Sequence, residues 1–390
     1  MTFMTEERLM IQQAARDFAM NEILPIANRL DRVQGDMPAE LISKIADLGF
    51  FGILVPEEYG GLGLGCAEYL IVSEEFARAW MSVGSILARG NGLLPVYALD
   101  EAQRQKYLPR VARGEFLCAS ANSEPNTGSD LASLTTRATR DGDGWRITGA
   151  KYWTTFADRA DAILVLARTD PKVDPKARHR GISAFLMEKP RGELPDGVKG
   201  AAIDKIGYFG WKTFELAFDN AYVPAENMIG EEGRGFYMFS RKMEIARAHT
   251  AARSIAVARG ALEDAIDYAQ QREQFGQPIG QFQAIRFKLA QMATEIEACR
   301  QLLYYVADQV DAGGRCDKEA AMVKYLAAEM SERVTSEGLQ IHAGAGYTKE
   351  FAAERYWRDA RLTKIFEGTS EIQLRIIADH LLGKQKDVRG

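Results

Sequence analysis

"FQAIRFKLAQMATEIEACRQLLYYVADQVDAGG", residues 282–314, places Phe282, Ile285, Leu289, Met292, Ile296, Cys299, Leu303, Val306 and Val310 at alternating intervals of three and four. That spacing puts all nine side chains on one face of an α-helix, and Gly313-Gly314 supplies a stop. Ala251, Ile255, Ala258, Leu262, Ala265 and Ala269 form a second seam just upstream, whose alanines permit close approach of another helix. A third helix is expected over 318–341 and a fourth from Glu371. Four such helices predict a bundle, packed within one subunit or between subunits.

Working back toward the N-terminus, the pattern changes. From about 116 to 230 there are short β-like runs, "WRITG", "AILVLAR", "ISAFLME" and "FELAFDNAYVP", separated by Gly, Pro and Asp. They predict an antiparallel, barrel-like β domain. Residues 5–113 again read as helical: "EERLMIQQAARDFAMNEI" and "PAELISKIADLGF" carry apolar residues at helical spacing, the second starting with Pro and ending at Gly49. The expected order is therefore a helical domain over 1–117, a β domain over 118–232 and a helical bundle over 233–390. The chain is mainly α with a central β domain.

Composition narrows the function. The chain has 390 residues, 46% of them apolar, and a net charge of −5. That argues against a nucleic-acid surface. The longest apolar runs are too short to span a bilayer, and "MTFMTEERLM" has acids near its start and no apolar core, unlike a secretory signal. Four scattered cysteines without CxxC suggest reduced thiols in a cytoplasmic protein. Four isolated histidines, with no HExxH, give no metal site. "PEEYGGLGLG" (56–65) is not GxGxxG and follows no strand, so a Rossmann site is poorly supported.

Three stretches carry polar and glycine residues that a plain scaffold would not need. "ANSEPNTGSD" (121–130) offers hydroxyls, amides and glycine-freed backbone N–H groups, suited to the polar edge of a heterocycle or to an ordinary turn. "KYWTTFADRADA" (151–162) offers a Trp and two threonines at the end of a β-run, an aromatic wall or simply a core Trp. "QREQFGQPIGQFQAI" (271–285) brackets a turn with Arg272 and Gln283, where the Arg could meet a phosphate or serve as a cap or salt-bridge partner. A fourth stretch, "KIFEGTSEIQ" (364–373), sets Glu367 before a helix start that reads as capped by Ser370, with Gln373 three positions on. Glu367 is either a solvated loop acid or a general base aimed by a turn.

These stretches resemble, in order and almost end to end, the motifs of the acyl-CoA dehydrogenase family. "SEPNTGSD" resembles T-E-P-x-A-G-S-D, "GAKYWTT" resembles N-G-x-K-x-W-I-T, and "REQFGQPIGQFQ" resembles R-x-x-F-G-x-P-I-x-x-F-Q. "LQIHAGAGYTKEFAAERYWRDARLTKIFEGTSEIQ" resembles the family's closing Q-x-x-G-G-x-G-Y…E-G-T-x-x-I-Q. The resemblance implies an α/β/α fold, non-covalent FAD, a homotetramer built as a dimer of dimers, an acyl-CoA substrate and an electron-transfer flavoprotein as acceptor. It implies that Ser120, Asn122, Ser123 and Gly128 hold the pyrimidine side of the flavin, with Trp153 over a ring face and Thr155 near N5. Arg272, Phe275, Gln283, Gln340 and Gly344 would reach the FAD of an adjacent subunit, and Thr369 and Glu371 would lie near the cofactor at the closing turn. Ser129, Glu244, Arg247 and Gly368 would face the thioester, and Glu367 falls on the family's base position. The alternative base position, just before Arg247, is Ala246 here.

Three departures stand out. Ser120-Ala121-Asn122 is more polar than usual before the T-E-P motif. "KIGYFGWKTFEL" keeps a glycine and Thr213 but lacks the usual Arg. "AGAG" (343–346) replaces G-G-x-G, a change expected to weaken nothing essential. The segment "SILARGNGLLPVYALDEAQRQKYLP" resembles the far end of the family's acyl cavity. Arg89 within it is either surface-exposed, paired with an acid, or a contact for a polar-ended acyl group. An oxygen-using acyl-CoA oxidase, a dehydrogenase of short or dicarboxylic acyl groups, and a non-catalytic FAD or acyl-CoA binder are the competing readings.

Overall fold

The computed structural model describes residues 3–383. The N-terminal part holds α1 (Glu6–Phe18), α2 (Leu24–Leu30), α3 (Ala39–Asp47), α4 (Cys66–Ala79), α5 (Met81–Ile86), α6 (Ala88–Asn91) and α7 (Glu101–Ala112). Thr5 caps α1, accepting from Arg8 N, and Asp100 caps α7 in a reciprocal capping box with Gln103.

The middle part is a sheet of β1 (Cys118–Ala121), β2 (Arg137–Asp141), β3 (Gly144–Thr155), β4 (Ala162–Arg168), β5 (Ile182–Glu188), β6 (Val198–Ala202), β7 (Thr213–Pro224) and β8 (Met228–Ile229), in the order β6-β7-β3-β2-β4-β5-β8. Pairing is antiparallel except where β1 and β2 each meet β4 in parallel. The run "AILVLAR" becomes β4, buried at every residue. Ile163, Val165 and Ala167 face the large core shared with the helical parts, while Ala162, Leu164 and Leu166 face a smaller core under α7. Covering both faces explains why this strand is apolar throughout rather than alternating.

The C-terminal part comprises α8 (Gly235–Gln271), the small hairpin β9 (Glu273–Gln274) and β10 (Gln277–Pro278), then α9 (Gln283–Asp311), α10 (Asp317–Gly346), α11 (Ala353–Thr363) and α12 (Ser370–Leu382). The seam on α9 is buried from Met292 to Val306 and half-buried at its ends. Ala251, Ile255, Ala258 and Ala265 of α8 have no exposed surface, and a Cβ on Gly338 of α10 would sit 3.2 Å from Ala261. Small residues thus let α8 and α10 pack closely.

Buried ion pairs tie the N-terminal helices to this bundle. Arg259 of α8 grips Glu75 at 2.6 and 2.8 Å, Arg300 of α9 reaches Glu74 at 2.9 Å, and Arg78 reaches Glu263 and Asp264 at 2.8 and 2.9 Å. Removing one partner of such a pair leaves an uncompensated charge, so these contacts fix how α4 sits on α8 and α9. Among the described residues, no helix is long and apolar enough to cross a membrane, and no cluster of His, Cys, Asp and Glu could hold a metal.

Candidate active site

Glu367 lies in the turn between α11 and α12 with φ 54°, a left-handed conformation uncommon outside glycine. Gly368 follows at φ 88°, and a Cβ there would meet the Gln373 amide at 2.5 Å, so the turn requires a glycine at that position. The turn is pinned from two sides: Lys324 Nζ donates to the Gly368 carbonyl at 2.6 Å and Gln373 Nε2 donates to it at 2.9 Å. The helix cap corrects the sequence reading. Thr369, extended at φ −60° and ψ 164°, accepts from Ile372 N, whereas Ser370 is already helical and donates to Glu329 at 2.8 Å.

Both carboxylate oxygens of Glu367 are engaged. Arg253 Nη2 donates to Oε1 at 2.9 Å and Thr250 Oγ1 to Oε2 at 2.5 Å. Arg253, in the middle of α8, is fully buried; it also donates to Ser85 Oγ at 2.7 Å, lies over the Phe366 ring at 4.8 Å and is held strongly protonated by Glu367. Tyr208 packs on Phe366 at 5.8 Å, and the fully buried His249 is kept neutral by burial and by Arg253. The Glu367 side chain stays one-third exposed. A carboxylate held at both oxygens, partly open to solvent and next to aromatic rings, can accept a proton from a ligand bound there. Sequence reasoning missed Arg253 and Thr250. The available signal was a charged residue inside the alanine seam of α8.

On the sheet, the first two motifs are stitched together. Tyr152 N donates to the Ser123 carbonyl at 2.8 Å and Lys151 Nζ to the Asn122 carbonyl at 2.9 Å. Lys151 also meets Glu124 at 3.0 Å, both of them buried. Glu124 accepts from the Thr135 and Thr136 backbone as well; against the cost of its burial, Lys151 and these bonds hold its carboxyl down at about 2. Burial lowers Lys151 to about 8, the opposite preference, because it has fewer partners for a complete loss of solvent. The two values bracket neutrality, so the ionic pair stands at pH 7.

Just beyond, two residues of β3 oppose one of β7, a bulge that carries Trp153 at φ 66° and leaves this residue 57% exposed. Thr155 and Thr213 face each other across the strands, hydroxyls 3.1 Å apart. Asn122 Oδ1 and Thr127 Oγ1 are buried with no partner, although the Asn122 amide donates to Ser120 Oγ at 2.8 Å. Nothing lies within 4 Å of where a Cβ on Gly128 would stand. An exposed aromatic face beside orphaned acceptors and an open backbone turn fits a flat polar heterocycle, as FAD requires. Ser129 is exposed on the same loop.

The remaining expected contacts lie elsewhere. Arg272 closes α8 just before the β9–β10 hairpin, Phe275 lies in its turn and Gln283 opens α9, all exposed; Phe275 is 94% exposed, and the Arg272 side chain has no hydrogen-bond or ion-pair partner among the described residues. Gln340 and Gly344 are exposed near the C-terminal end of α10, where Ala343 adopts φ 53° and ψ −135°. The AGAG departure therefore has a cost that the sequence reading did not assign: the alanine occupies a conformation suited to glycine. Glu244 accepts from Arg315 at 2.7 Å, and Arg247 pairs with Asp317. Glu371 is exposed in the first turn of α12. Arg89 is neither surface-exposed nor acid-paired, but buried.

Comparison with known proteins agrees with this arrangement. Models of the acyl-CoA dehydrogenase N-terminal, middle and C-terminal domains match residues 5–115, 119–221 and 233–382. The chain is 42% identical over 385 residues to (2S)-methylsuccinyl-CoA dehydrogenase of Cereibacter sphaeroides, covering 97% of this chain and 70% of the relative. It is 41% identical over 382 residues to an acyl-CoA dehydrogenase of Bacillus subtilis, covering 97% and 99%. The butyryl-CoA dehydrogenase structure from Megasphaera elsdenii superposes with a TM-score of 0.90 at 35% identity, covering 97% and 98%. This chain belongs to the acyl-CoA dehydrogenase family and is an FAD-dependent oxidoreductase acting on acyl-CoA.

Proposed function

We propose that the enzyme converts a saturated acyl-CoA thioester to its trans-2-enoyl-CoA, with Glu367 removing the α-proton as the β-hydrogen leaves as hydride. The observation that carries this reading is how Glu367 is held: Arg253 and Thr250 each donate to one of its carboxylate oxygens, at 2.9 and 2.5 Å, while the side chain stays one-third exposed. Arg253 and Thr250 orient it, so the proton acceptor is fixed before the thioester arrives. The Phe366 and Tyr208 rings pack edge to face beside it. FAD, when bound, supplies the acceptor for the hydride. Asn122, Ser123 and the Gly128 turn would hold the polar edge of its ring system, Trp153 a face, and Thr155 its reactive region. Glu244, Arg247, Ser129 and Gly368 would face the CoA thioester.

Exposed Phe275, Arg272, Gln283, Gln340 and Gly344 are read as contacts to cofactor held by a second copy, within a homotetramer. The electrons go on to an electron-transfer flavoprotein. Four buried free thiols suit a reducing, cytoplasmic compartment. Anaerobic titration of the holoenzyme with saturated acyl-CoAs tests the reaction. Bleaching of the flavin with formation of enoyl-CoA supports it, and binding without bleaching across chain lengths refutes it. Rapid peroxide formation in air would instead mark an oxidase.

A further inference from the structure

Lys324 lies on α10 with no exposed surface. It enters no ion pair among the described residues, and the bond that its ammonium makes is to the backbone carbonyl of Gly368, at 2.6 Å. Burial pulls the ammonium down to about 8, so it remains charged at neutral pH. Satisfying that carbonyl does not call for a lysine, because Gln373 Nε2, on another fully buried side chain, donates to it at 2.9 Å. A buried ammonium loses hydration that one carbonyl only partly returns. The fold bears that cost one residue away from Glu367.

The turn itself needs a firm hold. Glu367 at φ 54° and Gly368 at φ 88° are successive left-handed residues, and a glutamate keeps that conformation only where its surroundings impose it. Two helices impose it from different sides. α8 takes the carboxylate, through Arg253 at 2.9 Å and Thr250 at 2.5 Å. α10 takes the backbone, through Lys324. These helices approach closely where Gly338 of α10 meets Ala261 of α8, so side chain and backbone are referred to one rigid pair. The other ion pairs between the turn and α10 are partly exposed: Lys364 meets Glu329 and Glu332 at 2.7 and 2.8 Å. Pairs of that kind contribute little, whereas a hydrogen bond from a charged donor is about twice as strong as a neutral one. We propose that Lys324 is a positioning residue for the proton transfer: by holding the Gly368 carbonyl it fixes the left-handed turn, and so fixes where the Glu367 carboxylate stands relative to a bound acyl group. This rests on the reading of Glu367 as the base.

The test follows anaerobic flavin bleaching of the holoenzyme by stopped flow, with butyryl-, octanoyl- or glutaryl-CoA, whichever reduces the parent fastest. Its concentration dependence gives a limiting rate and a half-saturating concentration. Lys324→Met should lower the limiting rate ~10–100-fold and change the half-saturating concentration less than ~3-fold, with FAD retained. Lys324→Gln keeps a neutral donor and should fall between that variant and the parent. Lys364→Met breaks the partly exposed pairs of the same turn and should slow bleaching less than ~3-fold. In a Glu367→Gln background, Lys324→Met should cost less than a further ~3-fold, because the carboxylate it acts through is already gone. A role in holding the fold alone would slow both backgrounds alike. The inference is overturned if Lys324→Met bleaches within ~3-fold of the parent, if Lys364→Met loses as much, or if the full loss persists in the Glu367→Gln background. Should Lys324→Met not fold, Lys324→Gln carries the same comparison, and its bleaching at the parent's rate then overturns the inference. Bleaching of Glu367→Gln at the parent's rate removes the base reading instead, whatever Lys324 does.

Discussion

Arg253 Nη2 lies 2.9 Å from Glu367 Oε1, and this contact joins the middle of α8 to the turn before α12. The same guanidinium holds Ser85 and Thr250, and Thr250 in turn donates to the other oxygen of Glu367. A carboxylate oxygen offers more than one lone pair, so these bonds can orient the acceptor and still leave room for a proton.

Glu367→Gln keeps the size and the turn but cannot accept the proton. It should retain FAD and bind acyl-CoA while flavin bleaching slows by ~10²–10⁴-fold. Stopped-flow reduction under anaerobic conditions measures this, and near-native bleaching would remove Glu367 from the base role.

Arg253→Lys keeps the charge but cannot hold Ser85, Thr250 and Glu367 together. We expect kcat to fall ~10–100-fold with a smaller change in KM, since a misplaced acceptor costs rate more than binding. Arg253→Met goes further, leaving Glu367 without its charge partner. It should lower stability by ~2–3 kcal/mol, the low end for a broken buried pair because Glu367 is partly solvated. Denaturant titration of both variants beside their kinetics separates loss of positioning from loss of fold.

Arg272→Ala removes an exposed side chain that has no partner among the described residues. If it reaches the cofactor of a second copy, the purified variant should carry less FAD and melt at a lower temperature, because bound ligand stabilises the folded state. A variant as yellow and as stable as the parent would exclude that role.

Ala343→Gly should stabilise the protein. The backbone at φ 53° and ψ −135° costs an alanine ~1 kcal/mol or more, and glycine adopts it freely. A rise in Tm of ~2 °C is expected, and an unchanged or lower Tm would show that the strain is not present.

Asp359 gives a pH signature. Burial and the neighbouring Asp31 push its carboxyl up from 3.8 to about 7, although it accepts from Tyr208 N at 2.7 Å. A raised carboxyl makes a contribution to stability that is full below its ordinary value of 3.8 and is lost as pH rises through about 7. Asp359→Asn keeps an acceptor and carries no charge, so its Tm should exceed that of the parent by ~2 °C at pH 8 and converge with it near pH 4. Parallel melting curves at all pH values would contradict the assignment.

The fold class was legible because its signals are local. The alternation of three and four on α9 and the unbroken apolar run of β4 each follow from a few neighbouring residues and the faces they must bury. Four motifs in order were enough to place the chain in its family. The cap was misread by one position, Ser370 for Thr369, because either hydroxyl satisfies the pattern and only the backbone angles choose between them.

Charge environment could not be read in the same way. Arg89, Lys242, Arg253 and Glu367 stand far apart in the chain, on α6, on α8 and in the turn before α12, and nothing adjacent to any of them reveals its surroundings. Arg89 had equally good local grounds for being a surface residue or an acid partner. Sequence alone determined which segments fold, in what order, and which family's chemistry they carry. Tertiary structure decided which charges lose their water together and which remain unpaired, because desolvation depends on every element that closes over a group rather than on its neighbours along the chain.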